Sequence, residues 1–452
     1  MIAPRPKLLL WTALAVVPLA TFAVLATDLG LIFSALLTVV LFIMTCDAVL
    51  AYKGLAGISV KVPPVVRLSK ERQGEILFEI ANTTGLSREV RLGLALPRAI
   101  WSAQEEMTVA LPAGAEHSRV GWPCTPLRRG RYVIDRCYLE GISPLGLWNT
   151  RAVEPVSAEL RVYPNLAAER RSAAAVFLNR GGAGTRAQRM VGQGRDFEKL
   201  RDYIHGDSLD EIHWKATAKR RHPVSKVFQV ERTQEVYVII DTSRLSGRLL
   251  PLRDGNDGPD AELKSTTVLE RLITAALVVG MAAEKQGDLF GVLTFGDRME
   301  KFLRAKRGKE HFNLCRDSLY TVQPRAVTPD YGDLCSFIRV RLRRRALLLF
   351  LTSLDDPMLA ESFTQNIKLI CRQHLVLVNM LKPAGLEPVF STPVAHRDEI
   401  YQRLSGHLLW NSLRELKNVL HRSGVSFSLL EDATLTADLI SKYMAVKQRQ
   451  LL

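Results

Sequence analysis

The rhythm of hydrophobic positions divides this chain into stretches of different character. Residues 8–26 and 29–46 carry no charged side chain. At about 1.5 Å rise per residue the first covers roughly 28 Å, close to the hydrocarbon thickness of a bilayer. Thr27 and Asp28 separate the two stretches and Asp47 closes the second, a pattern that predicts an antiparallel pair of membrane-crossing helices. From residue 58 to 164 the rhythm becomes short and alternating. Strands are predicted at 75–80, 90–96, 107–111, 117–122, 131–139 and 159–162, with prolines, glycines and the Asn82-Thr-Thr-Gly85 turn between them. Short alternating strands at this spacing predict a β-sandwich.

Residues 194–221 are dense in charge and aromatics. Phe197, Leu200, Tyr203 and Ile204 recur at helical spacing, which predicts a buried helix face. Ile212, Trp214, Ala216 and Ala218 predict a second covered face, with Gly206-Asp207 as the turn between. Arg201, Asp207, Lys215, Lys219 and Arg220 are then placed to form an ionic lattice, read either as an interdomain fixture or as a docking surface. Beyond it, Val236 to Ile240 is a continuous apolar run of the kind buried in parallel sheets. Strands at 289–295, 346–352, 375–380 and 425–430 alternate with helices at 267–284, 331–342, 399–421 and 435–447, which predicts a doubly wound α/β domain. The expected fold is therefore multi-domain: a transmembrane helical hairpin (1–53), a β-sandwich (54–165), a linker and motif segment (166–233), and the α/β domain (234–452).

Composition and charge narrow the setting. The 452 residues include 47% hydrophobic ones, enough for several cores. The net charge of +15 is spread along the chain without aromatic interleaving or an RNA-binding signature, so proximity to anionic lipid is favoured over nucleic acid. Arg5 and Lys7 precede the first apolar stretch, and Lys53, Lys61, Arg67, Lys70 and Arg72 follow the second. The positive-inside rule places both ends and the soluble body in the cytoplasm of an inner-membrane protein. A cleaved signal peptide is the alternative, opposed by the length of the first stretch and by the second directly after it. Six scattered cysteines without a C-x-x-C pair fit a reducing compartment, although Cys124 and Cys137 stand at a spacing that pairing across two strands would allow.

The central segment also carries a resemblance. Its G-x-x-F-x-x-L-R-x-Y-x-x-G-D pattern, from Gly194 through Asp207, is followed by Ile212-His-Trp214 and by Ala218-Lys-Arg220. It resembles the bacterial family called domain of unknown function fifty-eight. Arg128-Arg-Gly-Arg-Tyr132, Ser143-Pro-Leu-Gly-Leu-Trp148 and Val162-Tyr-Pro-Asn165 are similar to that family's β-region and the link after it. Asp210 and Lys219 stand where the family usually has arginine. The resemblance marks Arg201, Tyr203, Gly206, Asp207, Trp214, Lys215 and Arg220 as candidate binding residues. It implies a partner class, MoxR-type ATPases of the AAA+ superfamily, and a role in assembly or envelope maintenance.

Candidate chemistry gathers at Asp241-Thr-Ser243, where the first core strand ends. Ligands sit at the carboxyl ends of strands in such sheets. Two oxygens at this spacing suit a hard cation such as magnesium. The pattern resembles the metal-ion-dependent adhesion site of von Willebrand factor type A domains, with Thr328 and either Asp355 or Asp356 as further candidates. Leu245 stands at the last serine position, and Thr352-Ser353 where that fold usually has Thr-Asp. The other reading is that Asp241 and Ser243 only cap the following turn. No phosphate-binding loop, nucleophile elbow or zinc-protease motif is present in the sequence, and no small-molecule substrate is indicated. The leading expectation is a non-enzymatic, membrane-anchored scaffold. The alternative is a metal-dependent enzyme using carboxylates near Asp241, Asp297 and Asp355.

Overall fold

The computed structural model describes residues 1–25, 29–52, 54–167, 169, 191–204, 212–229, 234–250, 266–388 and 397–449. They divide into two compact units, one of Met1–Asn165 and one of Leu166–Asp254 with Ser265–Leu452. Asp28, Lys53, Gly206, Asp207 and Asp210 lie outside the described residues.

In the first unit, Pro6–Leu25 and Gly30–Tyr52 are helices of 20 and 23 residues, long and apolar enough to cross a membrane. Phe22 stacks on Phe33 between them, ring centroids 5.7 Å apart. The first helix widens into a π-helical turn at Thr12–Val16. Pro18 follows after one intervening residue. It donates no backbone hydrogen bond and crowds the preceding turn, and a π-bulge accommodates both defects.

Two sheets then enclose one core. The larger contains Arg88–Leu94, Met107–Leu111, Gly130–Ile142 and Trp148–Tyr163, with Ile2–Pro4 and Val65–Ser69 paired to the last of these. The smaller contains Ile58–Lys61, Gly74–Asn82, Ile100–Trp101 and His117–Pro126. Alternate side chains from both sheets meet inside, among them Ile76, Phe78, Ile80, Trp122, Val90, Leu92, Leu139 and Leu160. Trp122 is fully buried, and its indole N–H donates to Ser102 Oγ at 3.0 Å, which removes the penalty of an unpaired buried donor. Cys124 and Cys137 are buried free thiols. Burial pushes both up to about 11, which keeps them protonated and inert.

The second helix is locked to this β-unit by one carboxylate. Asp47 is 1% exposed and accepts from Ser143 Oγ (2.7 Å), Leu145 N (3.0 Å) and Leu147 N (3.4 Å). The Trp148 indole donates to Met44 O at 3.1 Å, and Thr150 Oγ1 donates to Ala51 O. Gly146 adopts φ 72°, a left-handed conformation that glycine takes without steric cost, and so the loop turns tightly around the carboxylate. The Ser143–Trp148 motif is thus a receptor for the end of a membrane-length helix.

In the second unit, Val191–Asp202 and Val224–Gln229 form an antiparallel hairpin, and Trp214–Arg220 is a short helix. The helix expected from the spacing of Phe197, Leu200, Tyr203 and Ile204 is therefore not formed: Phe197 and Leu200 lie on a strand, and Tyr203 and Ile204 follow its end. Ladder bonds to 224–229 outweigh a weak helical pattern built partly from β-favouring aromatic and branched residues. Ile204 and Trp214 are exposed rather than buried, and only Ile212 of the second predicted face is covered.

The main sheet has six strands: β1 (Glu235–Asp241), β2 (Leu289–Phe295), β3 (Met299–Lys306), β4 (Leu347–Leu351), β5 (Leu375–Leu381) and β6 (Ser426–Leu430). Their spatial order is β3-β2-β1-β4-β5-β6. All neighbours are parallel except β3, which runs antiparallel on the edge. Among the described residues, three helices cover each face. On one lie α1 (Val268–Lys285), α2 (Lys309–Leu319) and α6 (Leu435–Gln448). On the other lie α3 (Tyr331–Arg341), α4 (Pro357–Asn366) and α5 (Arg397–Arg422). The period-two rule shows in β1: Val236, Val238 and Ile240 enter the first core, Tyr237 and Ile239 the second. The edge strand β3 escaped the sequence reading because its half-exposed, lysine- and arginine-rich residues form no apolar run.

Replacing Asp47 by alanine strips the acceptor from three donors, two of them backbone. We expect the first unit to lose about 3 kcal/mol, read as a lower unfolding temperature in detergent with faster hydrogen exchange at the Leu145 and Leu147 amides. Unchanged exchange at those amides would contradict the clamp.

Candidate functional site

The chain order of the strands reverses between β1 and β4, and in doubly wound sheets such a switch point opens a crevice at the strand carboxyl ends. Asp241 ends β1 there and is 1% exposed. Its Oδ1 accepts from Ser243 N at 2.8 Å, an Asx-type turn. Its Oδ2 accepts from Thr352 Oγ1 at 2.6 Å, just past the end of β4. Thr352 Oγ1 in turn lies 3.0 Å from the hydroxyl of Tyr331, the first residue of α3. The loop after β1 is braced by its neighbours. Thr242 Oγ1 donates to Phe295 O at 2.8 Å, Arg325 N to Thr242 O at 2.8 Å, and Arg244 N to Val327 O at 3.0 Å.

The donors around Asp241 are all neutral, and no cationic side chain pairs with it among the described residues. Burial raises the Asp241 carboxyl above its ordinary value, opposed by the hydrogen bonds from Ser243 and Thr352, with the nearby Glu300 charge adding to the rise. Two further oxygens are orphaned. Ser243 Oγ and Asp355 Oδ1 are buried without a hydrogen-bond partner. Ser243 precedes the short 3₁₀ turn Arg244–Gly247 but makes no side-chain cap. Asp241, not Ser243, therefore supports the turn, and the serine hydroxyl is left over.

The other sequence candidates are placed as follows. The second oxygen of Asp355 is held by Arg248. Asp356 caps α4 through Met358 N at 3.0 Å and lies 3.6 Å from Arg244. Thr328 is exposed, one residue beyond the Val327 carbonyl that holds the Asp241 loop. Leu245 is buried in the core and offers no ligand. Asp297 is paired with Arg325 at 2.9 Å, and the same guanidinium holds Glu300 at 3.0 Å. In the family-like segment, Arg201 lies on the hairpin strand and Tyr203 N donates to Pro223 O at 3.0 Å. Lys215 and Arg220 are exposed on the short helix beside Trp214, whose side chain is 69% exposed, and neither makes an ion pair among the described residues. Of the other members of the expected ionic lattice, Lys219 is likewise exposed without an ion pair among the described residues, and Asp207 lies outside them. The Thr352 and Tyr331 contacts to the site went unread in the sequence because only tertiary pairing of β1 with β4 brings them together.

A hard divalent cation fits the donors at the end of β1. Asp241 keeps free lone pairs, and the orphaned Ser243 Oγ is an acceptor without a donor. Among the described residues, no group of three or more histidine, cysteine, aspartate or glutamate side chains stands at metal-binding geometry. A cation here would therefore depend on hydroxyls and water beside a single carboxylate.

Residues 199–389 match the family described as "Protein of unknown function DUF58", a span that includes part of the hairpin, the short helix, and β1 through β5. The structure is similar to the conserved hypothetical protein BatB from Bacteroides thetaiotaomicron, with 13% identity over 48% of this chain and 99% of that one, TM-score 0.29. It is also similar to proximal thread matrix protein 1 of the mussel byssus, with 13% identity over 48% of this chain and TM-score 0.25. The chain spans 45% of that protein's length. Another crystal of the byssus protein, titled with a zinc-occupied MIDAS motif, gives a TM-score of 0.21 over 42% of this chain. A comparison with curated proteins returned no match.

The raised Asp241 carboxyl sets a sign. Its charged form is disfavoured in the fold, so the cost is absent below the ordinary carboxylate range, grows as pH rises through the folded value, and is complete above it. Asp241→Asn keeps the acceptor for Ser243 N and removes that cost. In chelator at neutral pH the variant is expected to melt a few degrees higher, at about 2–4 °C per kcal/mol for a unit of this size, with the gain shrinking as pH falls. A lower melting temperature at neutral pH would show that the carboxylate is already compensated.

Proposed function

We propose that this chain is a membrane-anchored binding protein. The apolar helices hold it at the inner membrane, and the β1–β4 crevice of its α/β domain presents a site to a cytoplasmic protein partner. The observation that carries the reading is the buried Asp241 carboxylate, which no cationic side chain pairs with among the described residues, together with the buried Ser243 Oγ that has no hydrogen-bond partner. Asp241 and Ser243 would hold a magnesium ion, and Asp355 would join only on releasing Arg248. When bound, such an ion supplies positive charge and open coordination positions for a partner's oxygen ligands. A second support is the exposed Trp214 flanked by Lys215, Lys219 and Arg220, since exposed aromatics among cations are common at interfaces. The partner class we favour is the MoxR-type AAA+ ATPase implied by the family likeness, acting in complex assembly or envelope maintenance.

Binding is favoured over catalysis because the carboxylates are separately engaged. Asp355 is held by Arg248, and Asp297 shares Arg325 with Glu300, so among the described residues these carboxylates are already tied into ion pairs rather than poised as an acid–base pair beside Asp241. A metal-dependent hydrolase lost on Asp241→Ala would reverse this preference. The partner reading is tested by purifying the detergent-solubilised protein with and without Asp241→Ala. We expect an AAA+ ATPase to co-purify with the wild type and to fall at least about tenfold in the variant, a loss of about 1.4 kcal/mol. Recovery of no ATPase in either form would sink it. A reporter fused after the last residue checks the orientation: cytoplasmic reporter activity is expected, and periplasmic activity would overturn it.

A further inference from the structure

The outer edge of β6 is unpaired among the described residues. β6 hydrogen-bonds only to β5, and Lys382 N donates to Leu430 O on that side at 2.8 Å. Backbone groups alternate along a strand, so Ser426, Ser428 and Leu430 face β5, while the N–H and C=O of Phe427 and Leu429 point outward. Phe427 and Leu429 thus offer a short ladder that no strand occupies among the described residues. A bare edge of this kind is a template for a further strand.

This edge does not lie on a flat surface. It forms the floor of a groove of about 560 Å³, walled by α5 through Trp410, Leu413, Arg414 and Lys417 and by α6 through Asp438 and Lys442. The lips are cationic. The Arg414 guanidinium lies over the Trp410 ring, 5.3 Å from its centroid, which fixes it at the rim. Lys442 reaches inward to Asn379 Oδ1 at 3.2 Å. Burial pushes Lys442 down to about 8, with Lys417 adding to the fall and Asp438 opposing it. The one acid, Asp438, already accepts from Thr434 Oγ1 at 2.7 Å. None of Arg414, Lys417 and Lys442 makes an ion pair among the described residues. The groove therefore combines unspent backbone donors and acceptors with three cations against a single acid, Asp438.

We propose that the β6 edge is a docking site for an extended, acidic peptide segment of a partner protein. The segment adds as a strand beside Phe427 and Leu429 and sets carboxylates against Arg414, Lys417 and Lys442. Main-chain bonds supply affinity in this mode, and the charged lips select the sequence. The site rests on the edge strand and not on the Asp241 loop, so it stands or falls separately from the crevice.

The probe is a fluorescent peptide of about ten residues, alternating valine or threonine with glutamate, titrated into the full-length protein in detergent. Two control peptides carry lysine for glutamate, or N-methyl groups on alternate backbone amides. Saturable binding of the acidic peptide is expected, with the Phe427 and Leu429 amides gaining protection from hydrogen exchange. Arg414→Glu with Lys417→Glu, both at exposed positions, should weaken it by at least about tenfold, and both control peptides should fail to bind. Absence of saturable binding would overturn the proposal. So would equal binding of the N-methylated peptide, because a strand cannot then be forming. Binding unmoved by the charge reversal, with the variant melting like wild type, would also overturn it.

Discussion

A carboxylate buried without a counter-charge is the constraint around which the second unit is arranged. Asp241 lies at the switch point of the sheet, where β1 and β4 diverge in chain order. It is kept there by neutral donors alone, the Ser243 amide and the Thr352 hydroxyl. Holding a charge in so dry a place is unfavourable unless something pairs with it. The surroundings do not dilute that cost. Tyr331 backs Thr352 from α3, Leu245 and Phe295 close the site against the core, and Glu300 adds like charge nearby. On the reading proposed above, a cation bound here would remove the desolvation cost and satisfy the orphaned Ser243 hydroxyl together.

The first unit shows the opposite solution to a similar problem. Asp47, at the end of a membrane-length helix, is as buried as Asp241, yet three donors from one loop converge on it. There the carboxylate is spent on structure: it fixes the helix to the larger sheet and gives the Ser143–Trp148 motif its purpose. The difference between the two sites is one of unspent capacity. Asp47 sits in a closed ring of donors. Asp241 has an orphaned hydroxyl two residues away and a half-used carboxylate, Asp355, in the same unit.

Much of this architecture was legible in the sequence, and the reasons are physical. The runs at 236–240, 289–295 and 375–380 read as strands because burial on both faces demands unbroken apolar residues. The apolar helices read directly from length. Asp241 and Ser243 could be singled out because a strand end followed by D-x-S is a local pattern. What stayed hidden depends on long-range pairing or on exposure. The Thr352–Asp241 bond joins residues far apart in sequence, and β3 lacks an apolar run. The segment around Leu200 and Ile204 was misread as helical because its spacing matched 3.6 residues per turn while its partner strand, 224–229, lay beyond the window. Asp47 looked like a boundary marker, because nothing in its neighbourhood announces the loop that binds it.

The account turns on whether the β1–β4 crevice accepts a cation, and a crystal structure of the protein grown with magnesium measures this directly. The prediction is octahedral density bridging Asp241 and Ser243 Oγ, with waters completing the shell, at oxygen distances of about 2.0–2.1 Å. A loop closed only by the Asp241–Ser243 and Asp241–Thr352 hydrogen bonds, with no ion at saturating magnesium, would contradict it.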